Sequence, residues 1–299
     1  MVDVPAPDGP GTRVRVRAAG ICGSDLEMVR TGLAANTLGH EIAGVLDDDT
    51  EVAIHPFVPC GTCAQCEQGR FQLCRDATAT MLGVFTDGGM ADEVVVPESC
   101  LVRLAPGVDA ADASIIEPLA VSLHACNRVG IEPGMRVGVI GAGTIGLLSG
   151  AVARHLGADV TIVPRHDAQR RAAEALGLAL DAPRDCDVVF EAAGTSSGFD
   201  AAVRACRRAG TIGLVSTTWE PISISFLSMQ MREVTIVPAF VYGEAHGRGE
   251  FDTAATIAAA HPEIAAALIT HRFGLDEAPR AFEVATDRAH GAIKVVLHP

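Results

Sequence analysis

Four cysteines, Cys60, Cys63, Cys66 and Cys74, are separated by gaps of two, two and seven residues. Two-residue gaps let neighbouring sulfurs converge on one tetrahedral ion, and the longer gap returns the chain for the fourth ligand. Four thiolates close the coordination sphere, so a zinc ion here would hold a lobe together and do no chemistry. Four unrelated buried thiols is the competing reading, and the density of the cluster weighs against it. A second group concentrates polar side chains in apolar surroundings. Gly20-Ile21-Cys22-Gly23-Ser24-Asp25 offers a thiol and a hydroxyl two residues apart, Leu38-Gly39-His40-Glu41 an imidazole beside a carboxylate, and Ile115-Ile116-Glu117-Pro118-Leu119 a further carboxylate. Cysteine, histidine and one carboxylate would leave a fourth position for water or substrate, as a catalytic zinc requires. Each also has a plainer reading: Cys22 as a core thiol, His40 as a satisfied buried histidine, Glu117 as a helix-start carboxylate.

The third motif is Gly141-Ala142-Gly143-Thr144-Ile145-Gly146, which follows the apolar run Val137–Ile140 and opens a helix. The three glycines fit a tight turn, close backbone approach to a pyrophosphate, and close helix–strand packing, with Thr144 and Ile145 at the helix N-terminus. Free N–H groups and the helix dipole there favour phosphate. The next strand ends Val160-Thr161-Ile162-Val163 and is followed by Pro164-Arg165-His166-Asp167. The acid that would bind an NAD ribose is missing where the strand stops, and Arg165 can meet a 2′-phosphate, so NADP(H) is expected over NAD(H). Asp167 is the rival, but its place ahead of Ala168-Gln169-Arg170 suits a helix cap better. Arg170 and Arg171 read as solvated helix surface.

The elements that must position these groups are legible in outline. Residues 11–20 alternate apolar and basic side chains, as a half-exposed strand does. From there to about residue 104 the chain is rich in Gly, Pro and short Val runs, which implies a β-rich, loop-heavy unit. Residues 110–129 read as a helix broken in its first turns by Pro118. Then strands 135–140, 159–163, 187–190 and 211–215 alternate with helices 144–156, 168–176 and 199–207, which implies a parallel sheet covered by helices. Beyond Tyr242 the pattern gives a helix at 251–260, a strand at 267–272, a helix at 278–285 and a strand at 293–297.

Composition bounds the function. Apolar residues make up 48% of the 299 and charged residues 20%, which is a globular balance. A formal net charge of −14 argues against nucleic-acid binding, which needs clustered Lys and Arg. No apolar run approaches a membrane span. Met1-Val2-Asp3-Val4-Pro5 lacks the basic start and apolar core of a secretory signal, so a cytoplasmic location is expected. An odd count of nine cysteines fits metal ligands plus buried thiols rather than disulfides.

Taken in order, GICGSD at 20–25, LGHEIAGV at 38–45, the cysteine lobe at 60–74, IEPLAVSLHAC at 116–126, GAGTIG at 141–146 and THRF at 270–273 resemble the zinc-dependent medium-chain dehydrogenase/reductase (alcohol dehydrogenase) family, in its sorbitol (polyol) dehydrogenase-like branch. The resemblance implies an α/β fold with a GroES-like β-rich catalytic domain and a Rossmann doubly wound parallel sheet. Its expected bounds are 1–122 for the first catalytic part, 123–242 for the Rossmann domain and 243–299 for the part returning to the catalytic domain. It implies a catalytic zinc held by Cys22, His40 and a glutamate, with Glu41 a direct ligand and Glu117 a ligand or a holder of zinc-bound water. Asp25 would support a ligand histidine, and Ser24 would relay the hydroxyl proton. Hydride would pass between a small-molecule alcohol or ketone and the nicotinamide, in a homodimer or homotetramer.

The sequence also departs from that pattern. Glu27 stands where many relatives have a relay histidine, and it is either the relay or a surface glutamate. The opening strand pair of relatives is missing, the stretch from His40 to Cys60 is shorter, and Asp49-Thr50-Glu51-Val52 replaces Gly-Asp-Arg-Val. Met28, Met90 and Val241, with Tyr242 retained, favour a substrate less polar than sorbitol. The competing functions are a zinc-free quinone or enoyl reductase, which would lack both cysteine-containing sets, and a catalytically silent zinc- and nucleotide-binding protein.

Overall fold

The computed structural model describes residues 4–299, apart from the side chains of Thr78 and Arg288; Met1–Asp3, the start of the stretch weighed above for a secretory signal, lie outside the described residues. Its strands are β1 (Thr12–Gly20), β2 (Glu41–Val45), β3 (Glu51–Ile54), β4 (Glu93–Val96), β5 (Leu101–Arg103), β6 (Arg136–Ile140), β7 (Asp159–Ile162), β8 (Cys186–Glu191), β9 (Cys206–Leu214), β10 (Thr235–Pro238), β11 (Glu244–Ala245), β12 (Arg248–Gly249), β13 (Ile269–Gly274) and β14 (Lys294–His298). The chain forms two compact units, one of residues up to Glu117 together with Gly243–Pro299, the other Pro118–Tyr242.

In the first unit the strand order is β13-β14-β1-β2-β3-β5, with β4 also on β1. The alternation of β1 is realised at its start: Val14 and Val16 are buried, while Arg13 pairs with Glu93 and Arg15 with Asp49 outside. Val14, Val16, Ile42, Val52, Ile54, Val94 and Val96 then make one core. Burying each such side chain contributes about 1.5–3 kcal/mol, which is what holds these short strands in register. The second half of β1, Ala18-Ala19-Gly20, is buried throughout, because β2 and β14 flank it on both sides. The helix Ala278–Thr286 covers β14 through Ala281 and Val284 against Val295 and Leu297.

In the second unit five parallel strands run in the order β10-β9-β8-β6-β7. Helices Thr144–His155, Asp167–Ala175 and Ser196–Ala205 link them. β6 lies between β7 and β8, so the chain leaves its two sides in opposite directions and opens a crevice at the carboxyl ends of these strands.

Several element expectations need correction. Pro118 does not break its helix. Ala113–Ile115 forms a 3₁₀ turn that runs into a helix over Ile116–Val129, and Pro118 occupies the first turn, where a missing N–H costs nothing. β9 starts at Cys206 rather than at 211, and the preceding helix ends at Ala205; pairing of Cys206 with Cys186 recruits a segment whose own pattern shows no alternation. The strand placed at 267–272 is shifted, because a helix over Glu263–Leu268 takes its first residues.

His55, just past β3, sits among Phe57, Phe71 and Phe251, with ring centroids 5.9, 5.2 and 5.3 Å away. Phe71 belongs to the cysteine lobe, so this aromatic cluster docks the lobe onto the body of the unit. Burial pushes the His55 pKa down to about 4, only partly opposed by the backbone around Phe57. A lowered folded-state value means the unfolded chain binds the proton first, so stability falls as pH drops from about 6.5 toward 4. At pH 5 this loss amounts to about 2 kcal/mol. His55→Phe removes that share of the acid sensitivity in denaturant unfolding at pH 7.5 and pH 5. Equal losses in both proteins would show that His55 plays no part in it.

Candidate metal and dinucleotide sites

Cys22 precedes the helix Gly23–Thr31, and its N–H donates to Asp25 Oδ2 at 2.8 Å. The same Asp25, fully buried, points its other oxygen at His40 Nδ1, 3.6 Å away. Neither Asp25 Oδ1 nor His40 Nδ1 has a hydrogen-bond partner among the described residues. Burying two such atoms without partners is costly. Donor atoms of Cys22, His40 and Glu41 all lie within 4.8 Å of one another. Burial alone would hold His40 neutral, but Asp25, then Cys22 and Glu117, favour its charged form and raise its pKa well above the usual value. The site draws positive charge, and a thiol, an imidazole and a carboxylate are the donor types zinc takes.

The remaining candidates fall at different distances from this centre. Ser24 is half-buried in the first turn of the helix that starts after Cys22. Glu117 is buried at the start of Ile116–Val129 and acts on both His40 and Lys294 through its charge, but it is not one of the three converging donors. Glu27 is paired with Arg30 at 2.7 Å, which fits the surface-glutamate alternative. Met28 is buried, Met90 packs against the core, Val241 is half-buried and Tyr242 fully buried.

Two features escaped the reading of the sequence. Gly39, at φ 99°, is packed by Met90, Gly83 and Gly88, and this fixes the approach of His40. A Cβ on Gly83 or Gly88 would lie 2.3 or 2.2 Å from the Gly39 carbonyl oxygen. Glycines spaced as Gly83, Gly88 and Gly89 are the only trace of this in the sequence. The second is Lys294, which is buried and donates to both oxygens of Glu41 at 2.6 Å and to the Ile21 carbonyl at 3.0 Å. Burial opposes its charge, but Glu41, Cys22 and Glu117 keep its pKa above the usual value. Its signal was a lone cation in the apolar run Ile293–Leu297.

At the lobe, the sulfurs of Cys60, Cys63, Cys66 and Cys74 lie within 4.8 Å of one another. Cys63 and Cys66 are 3.6 Å apart, Cys60 and Cys74 3.6 Å, and Cys60 and Cys66 3.9 Å. These separations fit four ligands on the corners of one tetrahedron with zinc–sulfur bonds of about 2.3 Å.

In the second unit, Gly141 lies at the end of β6 with φ 104°, and a Cβ there would strike the Ala192–Ala193 peptide at 2.7 Å. A Cβ on Gly146 would lie 1.8 Å from the Gly141 carbonyl oxygen. Gly143 is different: nothing among the described residues stands within 4 Å of its missing Cβ. Its bareness leaves the backbone open to a ligand at the N-terminus of the helix that begins at Thr144 and Ile145. Past β7, Arg165 is exposed and no acid stands at the strand end. Asp167 does not cap its helix. His166 takes the cap position, Asp167 lies in the first turn, and Gln169 accepts the N–H groups of Arg165 and His166 at 3.0 and 3.3 Å.

Two family models match the chain, the alcohol dehydrogenase GroES-like domain over residues 10–106 and zinc-binding dehydrogenase over residues 144–260. Fold, donor sets and matches together define an oxidoreductase of the zinc-binding dehydrogenase class. A sorbitol dehydrogenase of Arabidopsis thaliana is 30% identical over 96% of this chain and 88% of its own. The structure of galactitol-1-phosphate dehydrogenase from Escherichia coli superposes with a TM-score of 0.87 at 28% identity, covering 100% of this chain and 96% of that one. A zinc-binding dehydrogenase from Sinorhizobium meliloti, bound to NADP, gives 0.85 at 28% identity, covering 100% and 94%. The chain belongs to the zinc-dependent medium-chain alcohol dehydrogenase family, in its sorbitol and polyol dehydrogenase-like branch. No helix among the described residues is long and apolar enough to cross a membrane.

Proposed function

We propose that this protein oxidises a secondary alcohol or polyol, or reduces the matching ketone, with NADP(H) preferred over NAD(H) and two zinc ions per chain. The observation that carries the reading is the convergence of Cys22, His40 and Glu41 in front of buried Asp25. These three residues would hold the catalytic ion, with Glu117 beside them, and Cys60, Cys63, Cys66 and Cys74 the structural one. Catalytic zinc supplies Lewis acidity toward the substrate oxygen, which brings its proton within reach of neutral pH. Asp25 fixes the ring of His40, a support that ligand histidines commonly need. Ser24 takes the hydroxyl proton toward solvent. Gly141, Gly143 and Gly146, with Thr144 and Ile145, would hold the pyrophosphate of the dinucleotide, whose nicotinamide would supply the hydride chemistry.

The substrate is taken to be less polar than sorbitol, given Met28, Met90 and Val241 in place of polar groups. A panel of polyols, secondary alcohols, amino alcohols and ketones, run with both cofactors alongside metal analysis, tests the whole reading. Two zincs per chain and turnover of a secondary alcohol support it. One zinc without turnover indicates a silent binding protein, and none indicates a zinc-free reductase.

The cofactor preference rests on Arg165. A charge-assisted hydrogen bond to a phosphate contributes about 1.5–3 kcal/mol. Arg165→Asp therefore lowers the ratio of kcat/KM for NADP(H) over NAD(H) by roughly ten- to a hundredfold. A wild-type preference for NAD(H), or a ratio that the substitution leaves unchanged, removes Arg165 from the cofactor site. Assembly as a homodimer or homotetramer is part of the same reading. It is supported by β10, which ends its sheet, and by exposed Phe226, Leu227, Met231 and Phe240 in the flanking segments.

A further inference from the structure

Glu41 reaches its partner by an unusual route. Glu41 stands on β2 opposite Gly20 of β1, and Gly20 stands opposite Val296 of β14. The Ile21 N–H donates to Val295 at 2.9 Å, which carries the β1–β14 pairing on toward Lys294. The Glu41 carboxylate therefore crosses the middle strand to meet an ammonium on the strand beyond it. Only glycine allows this, since a Cβ at position 20 would lie 1.9 Å from Glu41 Oε2. Both oxygens are held at 2.6 Å, and Lys294 is only 3% exposed. The arrangement is a built pair, not a surface encounter.

We propose that Lys294, which Glu41 reaches past Gly20, is a positioning residue that sets how strongly Glu41 binds the catalytic metal. This rests on the reading of Cys22, His40 and Glu41 as the catalytic zinc site. A carboxylate with charge-assisted bonds on both oxygens has little electron density left to donate. Glu41 thus serves the ion weakly and exchangeably, Cys22 and His40 carry most of its binding, and more of its positive charge is left for the substrate. Groups behind metal ligands commonly shift affinity by ten- to a hundredfold. Here the partner is a cation behind an anionic ligand, so the sign is set. Removing Lys294 strengthens donation by Glu41 when the ion is bound and leaves a buried unpaired anion when it is not. Both effects tighten the site.

The test is Lys294→Met, an apolar chain of similar length, with Lys294→Arg as the variant that keeps the charge. Release of the catalytic zinc to a chromophoric chelator is expected to slow by about ten- to a hundredfold in Lys294→Met. The visible spectrum of cobalt placed at that site is expected to shift, and Lys294→Arg to restore both readings. Lys294→Gln, which keeps an amide NH2 donor group without the charge, is expected to fall between them and covers a poorly folding Met variant. Zinc release as fast as in wild type, with an unchanged cobalt spectrum, overturns the proposal. A wild-type protein that holds only the four-cysteine zinc instead overturns the catalytic-site reading on which it stands.

Discussion

Cys22→Ser and His40→Ala each lower kcat by about three orders of magnitude or more, while the protein stays folded. Polarisation of a reacting oxygen by a metal contributes several kcal/mol to the transition state, and each 1.4 kcal/mol is tenfold in rate. Either substitution removes one of three converging donors, so an ion held there would be lost or displaced from its working position. The fold has reason to survive. The turn at Cys22 is held by its backbone N–H on Asp25, which serine keeps, and the sulfur itself is only partly buried. His40 is more exposed to structural loss, since it is buried against Asp25 and its removal leaves that carboxyl without a counterpart. Some loss of thermal stability in His40→Ala is expected, and Cys22→Ser is therefore the cleaner measurement. Circular dichroism, zinc content and kcat on the best substrate of the panel decide it. A Cys22→Ser protein that turns over at nearly the wild-type rate would sink the metal mechanism.

The same residues show why some of this site could be read from the sequence and some could not. The cysteine lobe and the glycine turn are local: their donors and their bare backbone lie within one short segment, so spacing alone implies convergence. Cys22 and His40 are not local to each other. Their meeting depends on β1 and β2 pairing so that Gly20 faces Glu41, and only the ordered set of family motifs pointed to it. Lys294 is further still, because its place depends on the last strand returning to β1. A lysine in an apolar strand is an anomaly that sequence can show, but its partner is chosen by a register that sequence does not display. Gly20 hides for a related reason, since its role is to be absent beneath the side chain of another strand. At Pro118 and Cys206 tertiary context overrides local preference: a proline in a first turn is harmless, and a strand partner can recruit residues with no alternation.

Cys63→Ser is expected to lower the unfolding midpoint by about 10 °C or more and to open the lobe to protease, with little effect on kcat per folded molecule. Beyond the docking of Phe71 and the hydrogen bond from the Glu244 N–H to the Gly69 carbonyl, the lobe has little else to hold it. Its regular structure is one helical turn, Ala64–Glu67, and a 3₁₀ turn, Phe71–Leu73. Of its side chains only Gln72 and Cys74 are buried; Phe71 reaches the cluster of His55 and Phe251. Segments this short and exposed do not recover their ordering entropy by burial. A structural zinc contributes about 10–16 kcal/mol to folding in isolated zinc-finger peptides, so losing one of four thiolates removes more than the lobe's own contacts can replace. A loss of about 3–5 kcal/mol transmitted to the whole unit corresponds to roughly 10 °C in a chain of this size. The three converging donors lie outside the lobe, Cys22 between β1 and the helix Gly23–Thr31, His40 just before β2 and Glu41 at its first position, so chemistry in the surviving folded fraction should change little. The decisive comparison is Cys63→Ser against Cys100→Ser, a buried thiol outside the cluster. If both lower the midpoint alike, and neither exposes residues 60–74 to cleavage, the four sulfurs are core thiols and not the ligands of an ion.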